Sequence, residues 1–307
     1  MKYDLIIIGS GAAGLSAALY ARRYKMETLV IEGEFGGETA TAGAIENYPG
    51  ITLIDGLELM QTMQKQAKEL GTVFEKGKAE KVSTDGNCFT VKVGEKEFQG
   101  NTIILAIGSE RKHLNLSNEK ELTGKGVHYC VTCDGPVYNG KTVAMIGGGD
   151  SSVKGVNFLC EYAKKIYLIV RGPEVQAEPV NLERMQAQGN KVEVLLETEI
   201  QEIVGEKFLE NLVLSKEYQG SKDLKVDGMF IEIGFDPDKT FAEQLGIELD
   251  EKGYMKVNNM MHTNIVGVYA AGDATNHFGR FKQDITAAAM GSMAATSAYE
   301  YNQLLTH

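Results

Sequence analysis

The stretch "KYDLIIIGSGAAGLSAALYARRYKMETLVIE", residues 2–32, admits few folds. An apolar strand runs into Gly9-x-Gly11-x-x-Gly14, an alanine-rich segment at helical period follows, and a second strand ends on Glu32. Each glycine has its own physical task. Gly9 allows the tight turn, Gly11 lets a pyrophosphate approach the backbone, and Gly14 lets the helix pack on the strand. The helix start at Ala12 and Ala13 offers free N–H groups to phosphate oxygens. Glu32 stands where a carboxylate accepts from both hydroxyls of an adenosine ribose. The unit predicts an α/β fold built on a parallel sheet and a bound dinucleotide.

A second, less complete copy occupies residues 141–172, "KTVAMIGGGDSSVKGVNFLCEYAKKIYLIVRG". A strand runs into Gly147 and Gly149, and Asp150 and Ser151 open the next helix. Ser152 takes the third glycine's place, a small residue that packs slightly less closely. The following strand ends in Val170-Arg171-Gly172 with no ribose-binding acid, and Glu174 and Glu178 lie beyond Pro173. Two such units in one chain suggest a flavin in the first and a nicotinamide in the second. A further flavin mark is "HTNIVGVYAAGDATNHF", residues 262–278, whose strand delivers Gly272-Asp273. An acid there holds the ribityl and phosphate part of FAD. The small-residue helix that begins at Asp284 would point its N-terminus towards the same place.

Composition narrows the partners. A chain of 307 residues is long enough for two domains. With 35 Gly but only 5 Pro, it favours tight turns and close ligand approach over disorder. The net charge of −11 argues against nucleic acid or an anionic membrane surface as the main partner. The N-terminus runs straight into a strand without a basic leader, and no apolar run approaches the roughly 18 residues of a span. A cytoplasmic protein is expected.

Four cysteines are too few for a secreted disulfide framework. Cys88 and Cys160 read as ordinary packing. Cys130 and Cys133, in "HYCVTCDG", share a spacing that serves a metal, a structural staple or an electron carrier. A zinc site needs four ligands, and no second C-x-x-C or H-x₃-H stands nearby; His128 reads as a satisfied surface residue. No metal is expected.

With these pieces placed, the chain resembles the low-molecular-weight thioredoxin reductases over nearly its whole length. The resemblance rests on "IIIGSGAAGLSAALYA", Gly36-Gly37, "IENYPG" at 45–50, "ILAIGS" at 104–109, "YCVTCDG" at 129–135, "IGGGDSS" at 146–152 and "GVYAAGD" at 267–273. It implies two Rossmann-like, three-layer dinucleotide-binding domains, the second inserted in the first. The FAD domain would span residues 1–114 plus 246–307, and the nicotinamide-type domain 115–245 would carry the redox pair. The polar stretches "SERKHLNLSN" and "GFDPDKTF" read as crossings between them, and "EYQGSKDLKVDG" as a hairpin.

The resemblance also implies roles. Gly37, Glu38, Asn47, Ala106, Gly108, Gly272, Asp273, Gln283 and Asp284 join the first glycine turn around FAD. Cys133 faces the flavin, Cys130 attacks the disulfide of thioredoxin or a thioredoxin-like protein, and Asp134 exchanges protons with the thiolates. A cysteine pair near a helix start bridges without much strain, and the helix N-terminus lowers a thiolate pKa. Asp134 also reads as an N-cap. The family's domains rotate against each other, and its members are homodimers.

Departures from the family pattern bear on the electron donor. NADPH users carry His-Arg-Arg and a further Arg four residues later, to hold the 2′-phosphate; the aligned positions here are Val170, Arg171, Gly172 and Gln176. One cation of four remains. Each charge-assisted contact contributes roughly 1.5–3 kcal/mol, so NADH, or a donor such as reduced ferredoxin that bypasses this pocket, is expected ahead of NADPH. Lys282-Gln283-Asp284 replaces the usual Arg-Gln-Ala, and Glu38 replaces a glutamine, so two carboxylates are added near the expected flavin. Two other readings predict different behaviour: a dithiol oxidase of the same fold that passes electrons to oxygen, and a non-catalytic flavoprotein sensor.

Overall fold

The computed structural model describes residues 2–86, 88–279 and 281–305. The chain divides into two compact units, Met1–Glu110 with Asp236–His307, and Arg111–Phe235. Both divisions fall inside the polar stretches 109–118 and 234–241, upstream of the sequence boundaries at 114/115 and 245/246. The physical reason at the second crossing is Phe241 and Ala242, which are buried in the core of the first unit.

The first unit begins with β1 (Lys2–Ser10), α1 (Ala12–Arg23) and β2 (Thr28–Phe35), followed by α2 (Gly56–Glu69), β3 (Val73–Lys76), β4 (Lys81–Thr84), β5 (Phe89–Val93) and β6 (Lys96–Leu105). The sheet runs β3-β2-β1-β6-β5-β4, parallel among β3, β2, β1 and β6 and antiparallel at the β6-β5-β4 edge. The parallel strands are buried on both faces. Leu5, Ile6, Ile7, Ile103, Ile104 and Leu105 are all fully buried, which is why β1 and the end of β6 read as continuous apolar runs.

The second unit opens with β7 (Val127–His128) and the short α3 (Val131–Asp134), then β8 (Thr142–Ile146), α4 (Asp150–Leu159), β9 (Lys165–Ile169), α5 (Pro179–Gln186) and β10 (Val192–Leu195). An antiparallel insert of β11 (Ile200–Val204), β12 (Asn211–Tyr218) and β13 (Ser221–Lys225) precedes β14 (Gly228–Ile231). The main sheet is parallel throughout, in the order β7-β14-β8-β9-β10. The hairpin expected at "EYQGSKDLKVDG" is the β12–β13 turn. Gln219 and Gly220 both take positive φ, 51° and 82°, as a tight two-residue hairpin requires.

The chain then returns to the first unit through α6 (Thr240–Leu245), β15 (Val268–Ala270), which pairs in parallel with β6, and α7 (Asp284–Leu305). α7 packs on α1 through small residues: Ala294, Ala295 and Ala298 share a buried cluster with Ala13, Ala17, Ala18 and Ala21. At Gly291 a Cβ would collide with the Ala13 carbonyl, so the composition of α7 follows from this close approach. Each unit is thus an α/β dinucleotide-binding fold.

Candidate active site

The cysteine pair lies in the second unit. Cys130 and Cys133 are disulfide-bonded with their Cα atoms 5.3 Å apart. Cys130 is the N-cap of α3, and its Sγ accepts from the Cys133 N–H at 3.3 Å. The helix has four residues, too short for a developed dipole; Sγ is held by the disulfide, by this amide bond and by the Thr132 hydroxyl at 3.5 Å. Cys160 is buried as expected, whereas Cys88 is half-buried, its N–H bonded to Asp85 Oδ1 at 2.9 Å in the turn before β5. Its neighbours are therefore those of a turn rather than of a core.

Asp134 does not act as an N-cap. It precedes a 3₁₀ turn, Gly135–Tyr138, without a side-chain cap bond. Its Oδ2 instead lies 2.9 Å from His128 Nδ1. His128 is not a surface residue either: it is 6% exposed, stacked on Phe230 with 5.2 Å between centroids, and its Nε2 lies 2.6 Å from the Tyr138 hydroxyl. Burial, then the nearby Asp134 and Asp227, pushes the Tyr138 phenol up to about 12, so it stays neutral at physiological pH.

Tyr129, next to Cys130, is anchored on its other side. Its hydroxyl donates to Glu119 Oε1 at 2.6 Å, and its carbonyl accepts from Arg111, which pairs with Glu232 at 3.0 Å. Glu119 also receives the N–H groups of Leu114 and Leu116 at 2.9 and 3.1 Å. Burial pushes the Glu119 carboxyl up, but these bonds outweigh it and hold it below the usual carboxylate range. Burial and Glu119 together raise the Tyr129 phenol.

The second glycine turn sits at the end of β8. Gly147 has φ 132°, and a Cβ there would strike the Glu232 carbonyl; beside Gly149 there is open space. Ser152 is fully buried and donates to Glu232 O at 2.9 Å, so the extra hydroxyl has a partner. Asp150 accepts from the Glu178 N–H (3.0 Å) and Asn181 Nδ2 (2.9 Å), and pairs with Lys154 at 2.9 Å. Burial acts against its ionisation, yet those bonds keep its pKa low. Ser151 is exposed. Arg171 is 85% exposed and faces a carboxylate, with Nε 4.0 Å from Glu199. Val170 is buried against Gly148 and presents no polar group.

In the first unit the expected flavin residues converge on the start of α1. Gly9 has φ 108° and lies against the Ala106 carbonyl, and a Cβ at Gly14 would strike Gly9 O. Gly272 lies against Ala13, and Gly37 faces the Cα of Gly11. Gly108 takes φ 66° beside open space. The α1 N-cap, Gly11, carries no side-chain cap, and the first turn, with Ala12 and Ala13, holds no acid. These N–H groups, and a Gly11 Cβ position whose one near neighbour is the Gly36 carbonyl at 3.8 Å, fit a dinucleotide pyrophosphate. Glu32 is buried at 6% exposure and accepts from Gln64 Nε2 at 2.6 Å.

Long-range contacts complete this site. Asn47 Nδ2 donates to Gln283 Oε1 at 2.9 Å, and Thr39 Oγ1 to Asp284 Oδ1 at 2.6 Å. Burial raises the Asp273 carboxyl to about 6; Lys282 opposes the shift, while Asp284 and Glu38 add to it. The same burial lowers Lys282, whose Nζ donates to the carbonyls of Asp273 and Thr275 and lies over the Tyr254 ring. Gln64 and Thr39 carry no motif signal, and only the fold reveals them. Among the described residues no cluster of His, Cys, Asp and Glu is suited to a metal ion, and no helix is long and apolar enough to cross a membrane.

The model of the pyridine nucleotide-disulphide oxidoreductases matches residues 3–295. The chain belongs to that family. It is 39% identical to the thioredoxin reductase of Mycolicibacterium smegmatis, over 96% of this chain and 95% of the relative. The crystal structure of Lactococcus lactis thioredoxin reductase superposes with a TM-score of 0.92 at 32% identity, covering 98% of this chain and 99% of that one. A ferredoxin-flavin thioredoxin reductase from Clostridium acetobutylicum is also 32% identical, with a TM-score of 0.52 over 100% and 99% of the two chains. This member of the pyridine nucleotide-disulphide oxidoreductases is a thioredoxin reductase-like flavoprotein oxidoreductase with a C-x-x-C disulfide.

Proposed function

We propose that the protein is an FAD-dependent thiol-disulfide oxidoreductase that reduces thioredoxin or a thioredoxin-like protein through Cys130 and Cys133. Its electrons come from NADH, or from a non-nicotinamide donor of the ferredoxin kind, in preference to NADPH. The observation that carries the reading is the Cys130–Cys133 disulfide with Asp134 beside it, within a family of flavin disulfide reductases.

FAD, when bound, supplies the pair of electrons that opens the disulfide. It would be held by Gly9, Gly11, Gly14, Glu32, Gly37, Asn47, Ala106, Gly108, Gly272, Asp273 and Gln283, with Glu38 and Asp284 adding negative charge. Once reduced, Cys130 attacks the partner disulfide and forms a mixed disulfide. Cys133 then displaces the partner thiol, which restores the Cys130–Cys133 bond. Asp134 supplies the proton that the departing thiolate takes.

The donor preference is supported by the end of β9, where Arg171 lies out in solvent beside Glu199 and offers little to a 2′-phosphate. The Clostridium acetobutylicum neighbour is named a ferredoxin-flavin thioredoxin reductase, which makes that carrier worth testing. The same reading takes the working form as a cytoplasmic homodimer.

The test is anaerobic titration of the yellow protein with NADH, NADPH and chemically reduced ferredoxin, followed by the flavin absorbance and by reduction of thioredoxin. Reduction by NADH or ferredoxin with thioredoxin turnover is the expected result. Fast bleaching by NADPH would overturn the donor reading. Oxygen-dependent consumption of a small dithiol without thioredoxin turnover would point to the oxidase instead, and no turnover with any donor to a sensor.

A further inference from the structure

The buried histidine behind the cysteine pair has no role in the reading above, yet its geometry is that of a proton carrier. His128 sits at the end of β7, 6% exposed, with both ring nitrogens engaged: Nδ1 2.9 Å from Asp134 Oδ2 and Nε2 2.6 Å from the Tyr138 hydroxyl. Phe230 covers one ring face at 5.2 Å, and Tyr138 meets its edge at 5.4 Å. A buried imidazole fixed in this way is costly to charge unless both N–H groups find acceptors. Here they do. In the imidazolium, Nδ1–H donates to an oxygen of Asp134; once that proton has crossed, the carboxyl O–H of Asp134 donates back to Nδ1. Nε2–H donates to the Tyr138 hydroxyl in both forms. The ring can therefore gain or lose a proton without orphaning a polar atom.

Charged groups stand around the ring and the neighbouring Tyr138. Asp134 faces the ring from α3, and Asp227, on the segment before β14, acts on the neighbouring Tyr138. The nearby cation is Lys141, whose Nζ lies 5.5 Å from the Tyr138 ring centroid. Asp134 is 41% exposed at its side chain, so one carboxylate bridges the buried ring and the solvent side where the cysteines lie.

We propose that His128 is the proton partner of Asp134, a positioning residue whose Nδ1 stores the proton that Asp134 passes to the departing thiolate and recovers as the dithiol is regenerated. The step balances as exchange. The Cys130 thiolate forms a bond to a substrate sulfur, and the substrate S–S bond breaks. The departing thiolate takes the proton from Asp134, and the imidazolium replaces it. When Cys133 closes the Cys130–Cys133 bond, its thiol proton passes to the second substrate thiolate. The pair of electrons moves to the substrate, and His128 is re-protonated from solvent through Asp134. The proposal rests on the redox-pair reading but not on any donor or partner.

The test uses the FAD-loaded protein, its cysteine pair reduced chemically and kept anaerobic. Iodoacetamide alkylation of Cys130 and Cys133 is followed against pH, with mass spectrometry assigning the site. Wild type should show two inflections between pH ~5 and ~9.5, one from the thiol and one from the Asp134–His128 pair. H128N, whose amide can still donate to Asp134 but cannot titrate, should lose the second inflection and change the rate near pH ~6 by about fivefold or more. D134N should give the same single-step curve, and the double variant should go no further. A merely structural His128 predicts that H128N keeps both inflections, or that the two substitutions act independently; either result overturns the proposal.

If H128N fails to fold, shown by lost flavin absorbance or far-ultraviolet dichroism, ¹⁵N resonances of the wild-type His128 ring decide. A change in ring charge between the disulfide and dithiol forms, absent in D134N, is expected. Unchanged ring shifts overturn the proposal. Because the pair is reduced chemically, neither assay depends on thioredoxin turnover or donor use. Failure of the proton pair is thereby distinguished from failure of the redox reading.

Discussion

Restoring cations to the nucleotide loop should convert its preference. Two positions can take arginine without disturbing the fold. A Cβ at Gly172 would meet only the Glu174 carbonyl at 3.8 Å, an ordinary contact, and the Gln176 side chain is exposed while its N–H stays bonded to Gly148 O at 2.7 Å. Val170 is left alone because it is buried against Gly148. Charge-assisted bonds to a phosphate contribute roughly 1.5 kcal/mol each at the low end, so G172R/Q176R gains about 3 kcal/mol on that conservative figure. Two effects reduce that. Both groups are solvated, and Glu174, which now accepts from Gln176 Nε2 at 3.2 Å, will compete for the new guanidinium. The net expectation is a gain of roughly 10- to 100-fold in the affinity for 2′,5′-ADP relative to 5′-AMP. Isothermal calorimetry on the FAD-loaded protein measures this ratio without any hydride transfer. A folded double variant whose ratio moves by less than about twofold would refute the argument that missing cations set the preference.

Three further outcomes follow from the site geometry. Asp273 is raised to about 6 in the folded chain. An aspartate with a raised pKa folds without penalty below its unfolded value, and the penalty grows as pH rises through the folded one. D273N should therefore stabilise the flavin-free protein by ~1–3 kcal/mol near pH ~7 and by almost nothing at pH ~3.5, as read by urea unfolding. An equal gain at both pH values would contradict this. Glu119 is held low, so its contribution is present above the unfolded glutamate pKa and is lost as pH falls through the folded one. E119Q should cost ~1–3 kcal/mol at neutral pH in chemical denaturation, with the cost shrinking in acid; a pH-independent cost would show that packing alone is involved. G14A places a methyl against the Gly9 carbonyl. It should purify with its flavin absorbance largely lost, and a fully yellow variant would argue against the first glycine turn as the pyrophosphate cradle.

The glycine turns, their strands and the order of elements were legible because each depends on local contacts between neighbours in sequence. The β1–α1–β2 unit, the β8–α4–β9 unit and the small-residue face of α7 all fall into this class. His128 was misread as a surface residue for the opposite reason. Its partners, Asp134 and Tyr138, are near in sequence, but its burial depends on Phe230 from a strand about a hundred residues away. The N-cap reading of Asp134 failed with it, since a carboxylate that finds a buried imidazole leaves the amides ahead of it. Asn47–Gln283 and Thr39–Asp284 pair across more than two hundred residues, and no local pattern encodes such a register. Glu32 shows the mixed case: its place at the end of β2 was readable, whereas Gln64 from α2 was not.

The central claim is that Cys130 and Cys133 form a redox centre that exchanges electrons with the flavin. It is tested most directly by anaerobic dithionite titration of the wild-type protein and of C130S/C133S, followed by flavin absorbance. A working pair makes the wild-type protein take up about four electrons per flavin, while the variant takes about two. Equal uptake by both proteins, with FAD bound equally, would mean that the disulfide is electrically isolated from the flavin and would contradict the account.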